Sequence, residues 1–292
     1  PETIMKLQTP NEWPREKREK LAKEYLDCQL KVIENARMVG FDSIVLVVDA
    51  VKGVNDQELG NIVKFAIKNA DVVRCVNFQP HSFTGYAKNE DVKAGRITLP
   101  EVAKLVEEQT NGMVKAKDWY PVPTLVPFAE VLDVMAGKED YYPKFSTHQH
   151  CGLITAGYVK NGKYDSLMNH MNVEKLYDSL KNAKRAGKLL CTIKTFYAFL
   201  KYTDLKLKKD LLSLLIKKSY KASGDFMRKV VQISSMHFMD PYNFDFERVR
   251  KCCIHYIVPL REKTYVIPFC TYNTFHRQKY EELLVKACRT RG

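Results

Sequence analysis

The sequence predicts an α/β unit over residues 1–144 followed by an α+β region over residues 145–292. Three observations carry that prediction. Two β-branched apolar runs, SIVLVVDA (Ser43–Ala50) and VVRCVNFQP (Val72–Pro80), flank an amphipathic stretch of helical length, the pattern of a β-α-β unit with parallel strands. A helix-start signature, Thr98 to Glu101 ahead of VAKLVEEQ, follows them. From about Phe145 the character changes to a His/Cys cluster, a lysine-rich helical middle and a cysteine-bearing hairpin.

Taken in order, Arg15 to Met38 reads as a helix with Gly40 at its C-terminal cap. Ser43–Ala50 reads as a strand buried on both faces. VKGVND turns the chain into the helix QELGNIVKFAIKNA, which runs to Ala70 with Asn55 or Asp56 as its cap. Val72–Pro80 is the second buried strand. Thr98 and Glu101 form a capping box for a helix that stops at Asn111-Gly112, and the prolines at 121, 123 and 127 mark a closing loop. LITAGYV reads as a strand before a turn at Asn161-Gly162, and KVVQISSMHFMD holds another. Only two strands in the first half leave unpaired parallel edges, which points to missing strands upstream.

A chain of 292 residues with 45% hydrophobic content can bury a sizeable core, so disorder is not the default. No stretch reaches the roughly 18 apolar residues of a membrane-crossing helix, and PETIMKLQTP lacks the features of a signal peptide, so the expected location is cytoplasmic. Eight cysteines in that setting are expected to stay reduced. The 47 Lys and Arg against 34 Asp and Glu favour an anionic partner: nucleic acid, anionic lipid or a phosphorylated small molecule. Nucleic acid is disfavoured because the basic residues lack the interleaved aromatics of RNA-recognition signatures. Much of the excess charge lies between Lys181 and Lys229, where LKLKKDLLSLLIKKSYK places leucines at helical spacing beneath a basic face. The expected form is a helix packed on the core with a solvated lysine face, with peripheral membrane contact as the alternative. The sequence has no G-x-S-x-G elbow, Walker loop or GxGxxG fingerprint.

The strongest chemical candidate is CCIHYIVPLREKTYVIPFCTYN. Cys252, Cys253 and His255 precede a hairpin whose far strand ends at Cys270, and the turn through Arg261 to Lys263 brings both ends together. FSTHQHCG adds Cys151 with His148 and His150. Soft thiolates with an open position suit an iron–sulfur cluster or zinc; the competing reading is buried thiols and core histidines, because no CxxC pair is present. Cys28, Cys75, Cys191 and Cys288 are read as core residues. MHFMDPYNFD (Met236–Asp245) either lines an apolar pocket or fills a core.

DAVKGVNDQELGNIVKFAIKNADVVRCVNFQPHSFTG, RITLPEVAKLVEEQTNG, DWYPVP, THQHCG, MHFMDPYNFDFERVRKC and HYIVPLREKTYVIPFCTYN, in that order, resemble the later part of the archaeal radical SAM proteins of the tetraether lipid synthase group, which are often labelled pterin methyltransferase-like. The resemblance runs from about Ile33 to Asn273, apart from the lysine-rich middle. It implies the later half of a radical SAM barrel over residues 1–144 and a C-terminal auxiliary-cluster and substrate region over residues 145–292. The implied activity joins or modifies unactivated carbons of archaeal membrane lipid chains, through a radical made from S-adenosylmethionine on a 4Fe-4S cluster. Cys151, Cys252 and Cys270 become candidate ligands of an auxiliary cluster, with Cys253 an offset alternative and His255 a ligand or supporting residue. Asn55, Asp56, Asn77 and Gln79 fall where a barrel presents residues to S-adenosylmethionine, although capping explains Asn55 and Asp56 equally well.

The family's CxxxCxxC hallmark is absent from the sequence, and the turn PLREKT stands where relatives tend to carry a PDGR-like turn. The expectation is therefore a chain that needs an N-terminal radical SAM partner portion to generate the radical. Two alternatives accompany the lipid reading: a radical SAM methyltransferase of a pterin-like small molecule, and a non-catalytic basic subunit that binds nucleic acid or protein.

Overall fold

The computed structural model describes residues 4, 9–10, 12–84, 92–217, 220–260 and 263–289. Helix α1 (Arg15–Met38) leads into strand β1 (Ile44–Ala50), helix α2 (Leu59–Lys68) and strand β2 (Val73–Pro80), the β-α-β unit read from the sequence. Gly40 takes a φ of 70°, the left-handed geometry that ends a helix without a Cβ penalty. Helix α3 (Leu99–Gln109) begins at the expected capping box: the Thr98 hydroxyl accepts from the Glu101 amide, and the Glu101 carboxylate accepts from the Thr98 amide at 2.7 Å. Asn55 and Asp56 do not cap α2, whose N-terminal cap is Glu58.

Strand β3 (Tyr120–Pro121) follows, then helix α4 (Val126–Ala136), where a loop was expected. Pro127 is compatible with α4 because it sits in the first turn, where its missing N–H has no partner to lose. Strand β4 (Gly152–Lys160) turns through Asn161 and Gly162, at φ 52° and 71°, into β5 (Lys163–Ser166). Helices α5 (Val173–Ala183), α6 (Lys188–Tyr202), α7 (Leu205–Lys217) and α8 (Tyr220–Met227) form the lysine-rich middle. Strand β6 (Val230–Met236), helix α9 (Phe246–Arg250), the antiparallel pair β7 (His255–Leu260) and β8 (Lys263–Pro268), and helix α10 (Arg277–Arg289) complete the described chain.

One mixed sheet of six strands organises the molecule, in the order β1-β2-β6-β4-β3 with β5 also on β4. β1, β2 and β6 are parallel, and β4 runs antiparallel to β6. The α/β class expected from the sequence is therefore present, and the sheet draws strands from both sides of residue 144. Helices α1, α2 and α3 cover one face. Leu59, Val63, Val102 and Val106 pack there on Val76, Phe78 and Ile233, all essentially inaccessible to water, each contributing roughly 1.5–3 kcal/mol of burial. A second core lies between α4, α5 and α6, around Val131, Leu176, Leu180 and Phe199.

The other face of β1 and β2 differs from the sequence expectation. Val45 and Val47, read as buried on both sides of the strand, are 50% and 61% exposed. The helices cover only the face that carries Ile44, Leu46 and Val48, and no described element covers the opposite one. β1 is also the end of the strand order, so its outer edge pairs with no described strand.

Candidate functional site

The ends of β1, β2 and β6, the C-terminal edge of the parallel strands, meet the start of antiparallel β4. Parallel strands deliver their following loops to this edge, where α/β folds gather ligand-facing residues.

After β6 the chain enters HFMDPYNFD, and Asp240 anchors it. Its carboxylate is inaccessible to water and accepts from Arg96 Nη2 at 2.9 and 3.1 Å, from the Phe83 amide at 3.2 Å and from the Tyr242 amide at 3.0 Å. One side chain thus ties the loop after β6 to the segment after β2. The Asp240 amide in turn donates to Asn243 Oδ1 at 2.8 Å, which leaves Asn243 Nδ2 3.1 Å from His237 Nε2. Arg248 Nη2 donates to the His237 carbonyl at 2.7 Å. Burial first, and then the positive charges of Arg248 and Arg96, push the His237 imidazole down to about 4, so it is neutral at physiological pH.

Three of these residues, Arg96, His237 and Asn243, border a cavity of about 580 Å³ beside the N-terminus of α3. Leu99, Pro100, Pro121 and Leu153 supply apolar walls, and Arg96, Gln149, His150, His237 and Asn243 supply polar ones. Arg96 Nη2 is occupied by Asp240, and Arg96 Nη1 is buried with no hydrogen-bond partner among the described residues.

The cysteine-rich hairpin lies against the same loop. The backbone amide of His237 donates to the Cys151 carbonyl at 3.0 Å, and the Met239 amide donates to Cys270 Sγ at 3.3 Å. Cys252 Sγ donates to the Ile254 carbonyl at 3.0 Å. Burial raises the Cys253 thiol, and the neighbouring Cys252 and Cys151 raise it further. Burial likewise raises Cys270, opposed by the Met239 amide and Arg248, with Cys252 and Cys151 adding to the rise. Cys253 and Cys270 therefore each lie within electrostatic reach of Cys252 and Cys151. Among the described residues, however, no three His, Cys, Asp or Glu side chains are closed around a metal-sized centre. The thiols, soft donors from three chain segments beside a cationic arginine, are the residue type that iron–sulfur clusters take.

The remaining sequence candidates divide. Cys270 lies past the end of β8 in a short helical turn, Phe269–Thr271, and not at the strand end as expected. His255 opens β7 opposite Pro268 with its side chain exposed. Of the expected turn, residues 261–262 lie outside the described residues. Asn55 is consumed by its own loop, accepting from the Val51 amide and donating to the Asp49 carbonyl, both at 2.7 Å. Asp56 accepts from the Gly53 amide at 3.0 Å. Asn77 and Gln79 are half-buried on the uncovered face of β2, and Asn77 Oδ1 is a buried acceptor without a hydrogen-bond partner. Of the cysteines read as core, Cys191 is buried, Cys28 is exposed and Cys75 is half-buried near Ser234 on the uncovered face; the Cys288 side chain lies outside the described residues. Arg96, Asn243 and Arg248 were missed, since a lone arginine before a capping box carries no pattern that marks it.

No protein-family model matches the chain. Over 276 residues the chain is 41% identical to 7,8-dihydro-6-hydroxymethylpterin dimethyltransferase of Methanocaldococcus jannaschii, an alignment covering 89% of this chain and 54% of that protein. The two are homologues. The chain spans about half the length of the curated relative it matches. This similarity supports the radical SAM resemblance, and it lends no support to the tetraether lipid subtype that the sequence motifs first suggested. No helix among the described residues is long and apolar enough to cross a membrane.

Proposed function

We propose that the chain is the substrate- and auxiliary-cluster-bearing portion of a radical SAM methyltransferase acting on a pterin-like small molecule. The observation that carries this reading is the 41% identity to the pterin dimethyltransferase across most of the chain. The open cavity beside α3 is compatible with it. At about 580 Å³, with apolar walls and a few polar groups, it is large enough to take a small heterocycle. A planar lactam-bearing ring offers a carbonyl for the polar side chains of the cavity and an apolar face for Leu99 and Leu153. Neutral His237 adds no second full charge to the site.

S-adenosylmethionine bound at a 4Fe-4S cluster would supply the radical chemistry, in a portion carrying the CxxxCxxC motif. The uncovered face of β1 and β2, with Asn77 and Gln79 on it and the free edge of β1 beside it, is where that portion would pair. Cys151, Cys252 and Cys270 would hold the auxiliary cluster, with Cys253 as alternate ligand and His255 at its margin. The Met239 amide donating to Cys270 Sγ would orient that thiolate, and Arg248 would lower its proton affinity.

Two measurements test this. Protein purified without oxygen should carry near-stoichiometric iron and acid-labile sulfide, lost in Cys252→Ser/Cys270→Ser. Fluorescence titration with 6-hydroxymethylpterin should show saturable binding that weakens in Leu153→Trp, which fills the cavity. Folded protein that takes up neither iron nor pterin would overturn the proposal.

A further inference from the structure

We propose that α6 docks on the surface of an anionic lipid bilayer, lying along it. The helix is apolar on two opposite sides. Cys191, Thr195, Ala198 and Phe199 are buried towards α4 and α5. On the far side Leu189 (73% exposed), Leu190 (56%), Ile193 (55%), Tyr197 (60%) and Leu200 (50%) face solvent. At 100° per residue those five positions span an arc of about 100°, the width of an apolar stripe made to be covered. No described part of the chain covers it.

The rim selects the occupant. Lys194 and Lys201 lie next to the stripe in the helical projection, and Lys201 Nζ stands 5.4 Å from the centre of the Tyr197 ring and 5.5 Å from that of Tyr202. An aromatic ring beside a lysine head group is the pairing that sits at a membrane interface. Residues 181–217 hold ten Lys or Arg against two acidic residues, Asp204 and Asp210. Both are engaged within the chain, by His170 and by Lys229, and of the ten basic residues Lys184 and Lys206 pair with Glu130 and Asp165 outside the segment, so the excess rests on the other eight. A second copy of the chain would bring lysines against lysines, whereas an anionic leaflet supplies the missing countercharge. Since no described helix can cross a bilayer, the contact is superficial.

Co-sedimentation of the purified chain with vesicles tests the proposal. Binding should appear on phosphatidylcholine vesicles containing about one-third phosphatidylglycerol, fall steeply with salt, and be at least tenfold weaker on phosphatidylcholine alone. Ile193→Ser/Leu200→Ser and Lys194→Gln/Lys201→Gln should each weaken it, the lysine pair by about fivefold per charge. Unchanged thermal melts would show that the variants fold, as expected for residues at the surface. No binding to anionic vesicles, or binding indifferent to the apolar pair, overturns the proposal. So does sedimentation velocity showing a dimer that the apolar pair dissociates, because the stripe would then be a self-interface.

Discussion

Removing the Asp240 carboxylate should cost more than any other single truncation around the cavity. Asp240→Ala leaves the Arg96 guanidinium, 23% exposed, without its countercharge, and strips the Phe83 and Tyr242 amides of their acceptor. Breaking one side of a buried pair costs about 3–5 kcal/mol, and the partial exposure of Arg96 argues for the lower end, about 3 kcal/mol. At roughly 2–4 °C per kcal/mol for a chain of this size, the melting temperature should fall by about 6–12 °C. Urea unfolding followed by circular dichroism gives the stability directly. Arg96→Met/Asp240→Leu should be less destabilised than Asp240→Ala, because an apolar pair leaves no unpaired buried charge. A cost below about 1 kcal/mol for Asp240→Ala, or a double variant whose loss equals the sum of the single ones, would refute the idea that this pair ties the two loops together.

The His237 imidazole is held down to about 4, against an ordinary value near 6.5, so between those pH values the unfolded chain binds the extra proton. Stability should therefore be fully present above pH 6.5 and decline by up to about 3 kcal/mol towards pH 4; urea midpoints at pH 7 and 4.5 should differ less in His237→Gln than in the parent. Thr98→Ala removes one half of the capping box and should lower stability by about 1 kcal/mol, read in the same assay. Gly157→Ala would drive a Cβ to 2.4 Å from the Tyr164 ring, an overpacking that should cost about 1–3 kcal/mol; a neutral result would mean that β4 and β5 can part locally.

Local signals proved legible where one interaction decides the outcome. The capping box, the Asn161-Gly162 turn and the parallel pairing of the Ser43 and Val72 runs are written in neighbouring residues, and each appears in the structure. Coverage was not legible. A run such as IVLVVDA reads as buried twice over, yet Val45 and Val47 face outwards, because burial depends on which elements arrive from elsewhere. The same limit applies to α6, where Leu189, Leu190 and Leu200 lie exposed although residue type alone would place them in a core. Capping was assigned to Asn55 and Asp56 one turn too early, since both side chains close the preceding loop. In the site, the thiols announced themselves by residue type. Arg96 and Asp240 are 144 residues apart, and only the fold shows that they meet.

That pairing also explains how the cavity and the cysteine hairpin come to share one loop. Asp240 fixes the turn after β6 from one side through Arg96, and Arg248 fixes it from the other through the His237 carbonyl. Between those anchors lie the two contacts to the cysteines, the His237 amide to Cys151 and the Met239 amide to Cys270. Cys151 before β4 and Cys270 after β8 therefore each touch this loop through one backbone amide, that of His237 and that of Met239. Under the proposed function, the cavity at Arg96 and the thiols of the auxiliary cluster would both be held by the same nine residues, His237 to Asp245.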